Sequence, residues 1–130
     1  MNKSRINITI IKEDYGYSAF TRVKSKFIST QGDSLEELKS NLLDAVNLAL
    51  HEDGVIYYLE DLKLTLDLES FFTFYKVINA KALSEKIGMN QSLLAQYISG
   101  NKKPSAAQVK RIMGGVQQIG RELAEIKFLF

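Results

Sequence analysis

The sequence predicts an α+β protein in which a small sheet unit precedes an all-helical unit. Apolar and polar residues alternate over residues 6–10 and again over 62–68, the period of a strand with one buried face. After Leu68 the apolar period becomes that of a helix. The charge changes sign at about the same place. Residues 1–75 hold 8 Lys/Arg against 12 Asp/Glu, a net of −4, and residues 76–130 hold 9 against 3, a net of +6. These observations set two domains, 1–68 and 69–130. A basic half favours polyanions such as nucleic acid, and an acidic half repels them and suits a basic protein. With 130 residues, 45% of them hydrophobic, the chain can bury one modest core or two small ones.

Ile6, Ile8 and Ile10 alternate with Asn7 and Thr9, which predicts a first strand. YGYSAFTRV, following EDYG, supplies a β-rich partner for a hairpin, and a shorter third strand fits KFIS before the turn residues QGD. Ser34 opens SLEE, a capping box in which the Ser34 hydroxyl and the Glu37 carboxylate satisfy each other's orphan amides. The helix that starts there carries Leu35, Leu38, Leu42, Ala45 and Ala49 near one stripe and ends near Leu50, with Gly54 just beyond. Leu62, Leu64, Leu66 and Leu68 then alternate with Lys63, Thr65 and Asp67, the clearest strand in the chain.

Phe71, Phe74, Tyr75 and Ile78 fall at i, i+3, i+4 and i+7, and Ala80, Leu83, Ser84 and Ile87 repeat that spacing after a break at Asn79. Gly88 can take the positive φ that ends the second helix without a Cβ clash. A third helix, from about Gln91 to Ser99, turns Leu94 and Ile98 inward with Tyr97 at the margin, and Gly100 stops it. Ser105 and Gln108 form another capping box, opening a long helix through Val109, Ile112, Met113, Val116, Ile119, Leu123 and Ile126. Gly114 and Gly115 weaken it by roughly 1 kcal/mol each relative to alanine, so it can bend there.

The stretch GMNQSLLAQYISGNKKPS carries the functional reading. A helix anchored by Leu94 and Ile98 faces outward with Asn90, Gln91, Ser92, Ala95 and Gln96. Such a surface fits the major groove, because short side chains admit the backbone closely and Asn or Gln can bond adenine through N6 and N7. Lys102 and Lys103, in the turn that follows, can neutralise phosphates and fix the register. The same spacing also describes a helical hairpin with a solvated polar face. Leu93 is either an apolar contact to a thymine methyl or part of a protein interface.

Other chemistry is poorly supplied. There are no cysteines, hence no disulfide framework and no thiolate metal site. MNKSRINITII lacks the apolar run of a signal peptide, and no stretch approaches the roughly 20 apolar residues of a membrane helix, so a cytoplasmic protein without membrane contact is expected. A nuclease would need carboxylates clustered around divalent metal. Asp14, Asp33, Glu36, Glu37 and Asp44 are available, but Asp33, Glu36 and Glu37 belong to a helix start, where acids are favoured by the dipole. The single His51 has no second histidine or cysteine to share a metal. No phosphate loop, GxSxG or dinucleotide fingerprint occurs. No enzyme activity and no cofactor is expected. Tyr15, Tyr17, Phe20 and Phe27 are either core residues or a partner-facing patch.

The run NAKALSEKIGMNQSLLAQYISGNKKPSAAQVKRI resembles the helix-turn-helix of the Cro and lambda-repressor class, with Ser84 at the usual small position, Gly88 in the turn and GNKKPS closing the motif. GYSAF followed by TQGDSLEELKSNLLDAVNLAL resembles the HicB antitoxin domain, a partial ribonuclease-H-like ββαβ fold. The resemblance implies a type II toxin–antitoxin system. Its front domain would neutralise a HicA-like RNA-cleaving toxin, with Tyr15, Tyr17, Phe20 and Phe27 as candidate toxin contacts. The helical domain would bind double-stranded operator DNA through Asn90, Gln91, Ser92, Gln96, Lys102 and Lys103 as a homodimer or higher homo-oligomer, the geometry that paired half-sites call for. TRVKSKFIS replaces the proline-glycine segment of many relatives, and Ala80 stands where a phosphate-contacting glutamine is frequent. The alternative is a stand-alone repressor whose front domain senses a ligand or dimerises.

Overall fold

The computed structural model describes residues 4–130; the first three residues of MNKSRINITII lie outside the described residues. It is a mixed α+β protein with a four-stranded sheet and five helices. Its contacts divide the chain between Phe74 and Tyr75, beyond the boundary expected at Leu68. The cause is a short helix that stays on the sheet, and each unit is described by itself.

The first unit comprises β1 (Ile6–Lys12), β2 (Tyr17–Val23), β3 (Lys26–Gly32), α1 (Leu35–Ala49), β4 (Leu62–Leu66) and α2 (Leu68–Phe74). The sheet order is β3-β2-β1-β4. The two hairpin pairs are antiparallel, and β4 lies parallel to β1 in the register Ile6↔Leu62 through Ile10↔Leu66. A parallel neighbour requires a crossover, which α1 supplies. Three strands precede α1, as the third strand expected at KFIS requires, so the order is βββαβ, one strand more than the ββαβ that the resemblance implies. β3 is also longer than KFIS. Gln31 and Gly32, expected in a turn, pair with Ser18 and Tyr17, and only Lys24 and Ser25 are left to join β2 to β3.

One face of this sheet is dry. Ile6, Ile8, Ile10, Ala19, Ile28 and Leu62 pack with Leu38, Leu42, Val46 and Leu50 into a single buried cluster. The stripe of α1 that meets the sheet therefore runs Leu38, Leu42, Val46 at i, i+4 and i+8, whereas Leu35, in the first turn, is 43% exposed. Ser34 caps α1 by accepting from the Glu37 amide at 3.1 Å. The Glu37 carboxylate accepts from the amide of Asp33 at 3.2 Å, one residue earlier than a capping box predicts.

Leu68 does not extend β4; it starts α2. Asp67 makes the change, donating its amide to Ile10 O at 2.7 Å and accepting from the Ser70 amide at 2.9 Å. Ser70 Oγ in turn accepts from the Lys12 amide at 3.1 Å, and the Lys12 ammonium lies 4.0 Å from the centre of the Phe74 ring. These ties hold α2 to the end of β1. Tyr75 and Ile78, expected on the same helix as Phe71, lie past its end, where the Ile78 amide closes a turn on Tyr75 O at 3.1 Å.

The second unit is α3 (Ala80–Ile87), α4 (Gln91–Ser99) and α5 (Ala106–Glu125), the last running on into a 3₁₀ turn over Ile126–Leu129. Asn79, Asn90 and Ser105 each cap a helix, accepting from the amides of Ala82, Leu93 and Gln108 at 3.0, 3.1 and 3.2 Å. Leu83, Leu94 and Ile112 are the fully buried centre, joined by Met89, Tyr97 and Val109.

α5 runs unbroken through its two adjacent glycines, which have opposite roles. A Cβ on Gly115 would collide with Ile87 Cγ2 and stand 3.2 Å from Leu83 Cδ1, so this glycine is what lets α5 approach α3. A Cβ on Gly114 would meet nothing within 4 Å. Gly114→Ala should therefore stabilise the unit by about 0.5–1 kcal/mol through helix propensity. Gly115→Ala should destabilise it by about 1–3 kcal/mol through overpacking. Urea denaturation of the two variants checks this: equal and same-signed changes would contradict the close-approach role of Gly115.

Candidate nucleic-acid interface

The helix pair α3–α4 is joined by Gly88, Met89 and Asn90. Gly88 has φ 67°, a left-handed conformation that glycine accepts without strain. Its amide and that of Met89 close α3 on Glu85 O and Ser84 O at 3.3 and 2.9 Å. Two carbonyls at this end are held from outside: Arg111 of α5 donates to Ile87 O and Gly88 O, both at 2.8 Å. A cation at a helix C-terminus is favoured by the partial negative charge there. Arg111 thus fixes the angle at which α4 leaves α3. Sequence reading missed it, because its partners lie more than twenty positions away and no local pattern marks it.

Beneath α4, Leu94 is inaccessible and Tyr97 is 7% exposed, while Ile98 is only half-buried. The expected inward Ile98 and marginal Tyr97 exchange places, because the buried stripe follows i, i+3 rather than i, i+4. Ser84, on the facing helix, is buried and donates its hydroxyl to Lys81 O at 2.6 Å, so no polar group is left without a partner under α4.

Above, Gln91, Ser92, Ala95 and Gln96 are exposed. Among the described residues nothing engages the side-chain amides of Gln91 and Gln96 or the Ser92 hydroxyl. Asn90 differs. Its Oδ1 accepts from the Leu93 amide, so it is a capping residue whose Nδ2 hydrogens are uncommitted. Leu93 is half-buried at the edge of this surface. The turn after α4 is pinned by the Lys102 amide, which donates to Gln96 O at 3.1 Å. It carries the exposed Lys102 and Lys103, neither of whose ammonium groups has a partner among the described residues. Gln91 and Ser92 in the first turn of α4, Gln96 further along it and two free cations in the turn after it are thus all exposed on one short helix and its exit. Such a set can bond base edges and phosphates together.

In the sheet unit the four aromatic candidates separate. Phe20 and Phe27 lie on the sheet face away from α1, ring centroids 6.1 Å apart, with the Arg22 guanidinium 5.5 Å from the Phe27 ring. Tyr17 is on the other face with Ala19 and packs against the core. Tyr15, 89% exposed, sits in the β1–β2 turn. Tyr15 and Tyr17 line an open cleft of about 530 Å³ with Glu13, Asp14 and Asp33, and an adjacent cleft adds Asp67 and Glu69. Five of the twelve acidic residues of this unit thus line two adjoining clefts beyond the ends of β1, β3 and β4. His51 Nδ1 lies 2.8 Å from Leu48 O at the end of α1. Among the described residues no three acidic, histidine or cysteine side chains are grouped to hold a metal ion. No helix among them is long and apolar enough to cross a membrane.

No family model, curated protein or solved structure matches this chain.

Proposed function

We propose that this chain is a DNA-binding antitoxin: residues 75–130 act as a repressor-type helix-turn-helix, and the preceding sheet unit, read as a partial ribonuclease-H-like fold, sequesters a basic HicA-like RNA-cleaving toxin. One observation carries the DNA half of this reading: α4 is seated through Leu94 and Tyr97 and presents Gln91, Ser92 and Gln96 without internal partners, and the turn that follows it carries the free Lys102 and Lys103. The glutamines would read base edges, and the lysines would neutralise phosphates and set the register. Asn90 would chiefly hold the helix start. Two copies would be needed to present two such helices one DNA turn, about 34 Å, apart on a palindromic operator.

The antitoxin half is supported by opposite charge. Glu13, Asp14 and Asp33 share a cleft with the exposed Tyr15, Asp67 and Glu69 line the cleft next to it, and together they suit a basic surface, speeding and orienting its docking. Phe20 and Phe27 offer a second, apolar contact on the open sheet face. Catalysis has no part in this proposal, and no cofactor is required.

Co-expression with the neighbouring gene product tests it. A small basic protein that co-purifies with the chain and whose toxicity the chain relieves is the expected result. Operator binding without such a partner would instead favour a stand-alone repressor. On DNA, Lys103→Ala should lower affinity for all sequences alike and reduce the slope of log affinity against log salt by about one unit. A change confined to one sequence would contradict the phosphate role.

A further inference from the structure

The face of the sheet turned away from α1 is fixed by the strand register, because directly paired residues point to the same side. Ser29, Phe20, Thr9 and Thr65 make one row across all four strands. The pairs Phe27–Arg22 and Asn7–Lys63 lie in the next row, on the same side. No strand position on this face carries a carboxylate, and Glu13, just past β1, meets it at the far end, where it accepts from Ser18 Oγ at 2.8 Å. The rings of Phe20 and Phe27 are inclined by only 29°, and Phe27 is left 58% exposed. Arg22 and Lys63 are exposed, and neither has a hydrogen bond or ion pair among the described residues. At Asn7 and Arg22 the face opens into a cleft of about 460 Å³ that adds Arg5 and Lys24. Asp53, the one acidic residue lining that cleft, is already 3.0 Å from the Lys24 ammonium. Four of the eight basic residues of this unit therefore lie on this face or in its cleft, so the unit's net negative charge does not repel a polyanion here.

We propose that this face is a platform for single-stranded RNA, with bases stacked on Phe27 and Phe20 and the phosphates held by Arg22 and Lys63. An open sheet that displays aromatic rings can stack unpaired bases, and every base offers a π-face to such a ring. A duplex cannot use the rings, because its bases are already stacked on one another. Two rings alone supply too little apolar area for the core of a stable protein interface, which favours a ligand that brings flat faces of its own. Asn7, Thr9, Ser29 and Thr65, beside the rings, can bond base edges and the 2′-hydroxyl, the group by which RNA differs from DNA. The site stands apart from the DNA-binding reading of α4 and from the antitoxin reading. Where a toxin also rests on Phe20 and Phe27, RNA and toxin exclude each other; only that consequence depends on the antitoxin reading.

Fluorescence anisotropy of the full chain with a short labelled oligouridine should show binding that excess unlabelled duplex DNA does not displace. Phe27→Ala should weaken it about 5- to 150-fold, the stacking of one base. Phe27→Tyr keeps a ring and should retain the affinity, whereas Phe27→Leu keeps the apolar bulk and should behave as the alanine variant does. Arg22→Ala should weaken binding and reduce the slope of log affinity against log salt by about 0.7. Both residues are exposed, so urea denaturation should find the variants folded. Photocrosslinking through thiouridine should mark the peptides that carry Phe20 and Phe27. Displacement by duplex, crosslinks confined to residues 91–103, equal affinity for the matching deoxyoligonucleotide, or full affinity in Phe27→Ala would each overturn the proposal. Toxin capture lost in Phe27→Ala with RNA affinity unchanged would give the face to a protein instead. RNA binding at Phe27 by a chain that captures no toxin would uphold the proposal and reject the antitoxin reading alone.

Discussion

Replacing Leu94 with alanine is expected to abolish DNA binding while leaving the sheet unit folded and able to hold its partner. Leu94 is inaccessible, at the centre of the small core that seats α4. Removing its side chain costs about 2–5 kcal/mol, as lost transfer energy and as the cavity left behind. A unit of this size has only about 3–8 kcal/mol of stability in total. The change therefore releases α4 or melts the unit. The core of the sheet unit, built on Leu38, Leu42 and Val46, shares no residue with it. Circular dichroism should show loss of part of the helix signal, and a pull-down should still recover the basic partner. If both activities vanish together, the assignment of separate functions to the two units is wrong.

Gln91→Ala and Gln96→Ala should act at the opposite level, on recognition and not on stability. Both side chains are exposed and lack internal partners, so each substitution should alter stability by no more than about 0.5 kcal/mol. A glutamine bidentate to adenine contributes about 1–3 kcal/mol of discrimination, so each variant should bind the specific site about 5- to 150-fold more weakly. Random duplexes should be unaffected. Asn90→Ala should look different, losing about 1 kcal/mol of stability with its cap at Leu93. Fluorescence anisotropy on specific and random duplexes, paired with urea denaturation, separates the three. Equal losses on both duplexes for the glutamine variants would reject their role as readers.

Periodicity made much of this arrangement legible. Ile6, Ile8 and Ile10 face α1 as their alternation predicts, and Asn79, Asn90 and Ser105 begin helices because short polar side chains can accept from the amides that a helix start leaves unpaired. The outward set Gln91, Ser92, Gln96, Lys102 and Lys103 is also exposed as the spacing implies. What escaped was non-local. Gln31 and Gly32 read as a turn, but pairing with β2 recruits them into β3. Leu68 continues an alternating pattern, but the hydrogen bonds of Asp67 start a helix there. Tyr17 and Phe20 look equivalent in composition, yet their odd spacing sends them to opposite faces. Arg111 and Gly115 earn their roles only where α5 crosses α3, a contact that no window of sequence contains.

The most direct measurement is an amide NMR titration of the full chain with duplex DNA from immediately upstream of its own coding sequence, followed at two salt concentrations. Shifts concentrated at Gln91, Ser92, Gln96, Lys102 and Lys103, weaker at the higher salt, are the predicted result. Unchanged resonances for those five residues at saturating duplex would contradict the assignment of α4 as the DNA-reading helix.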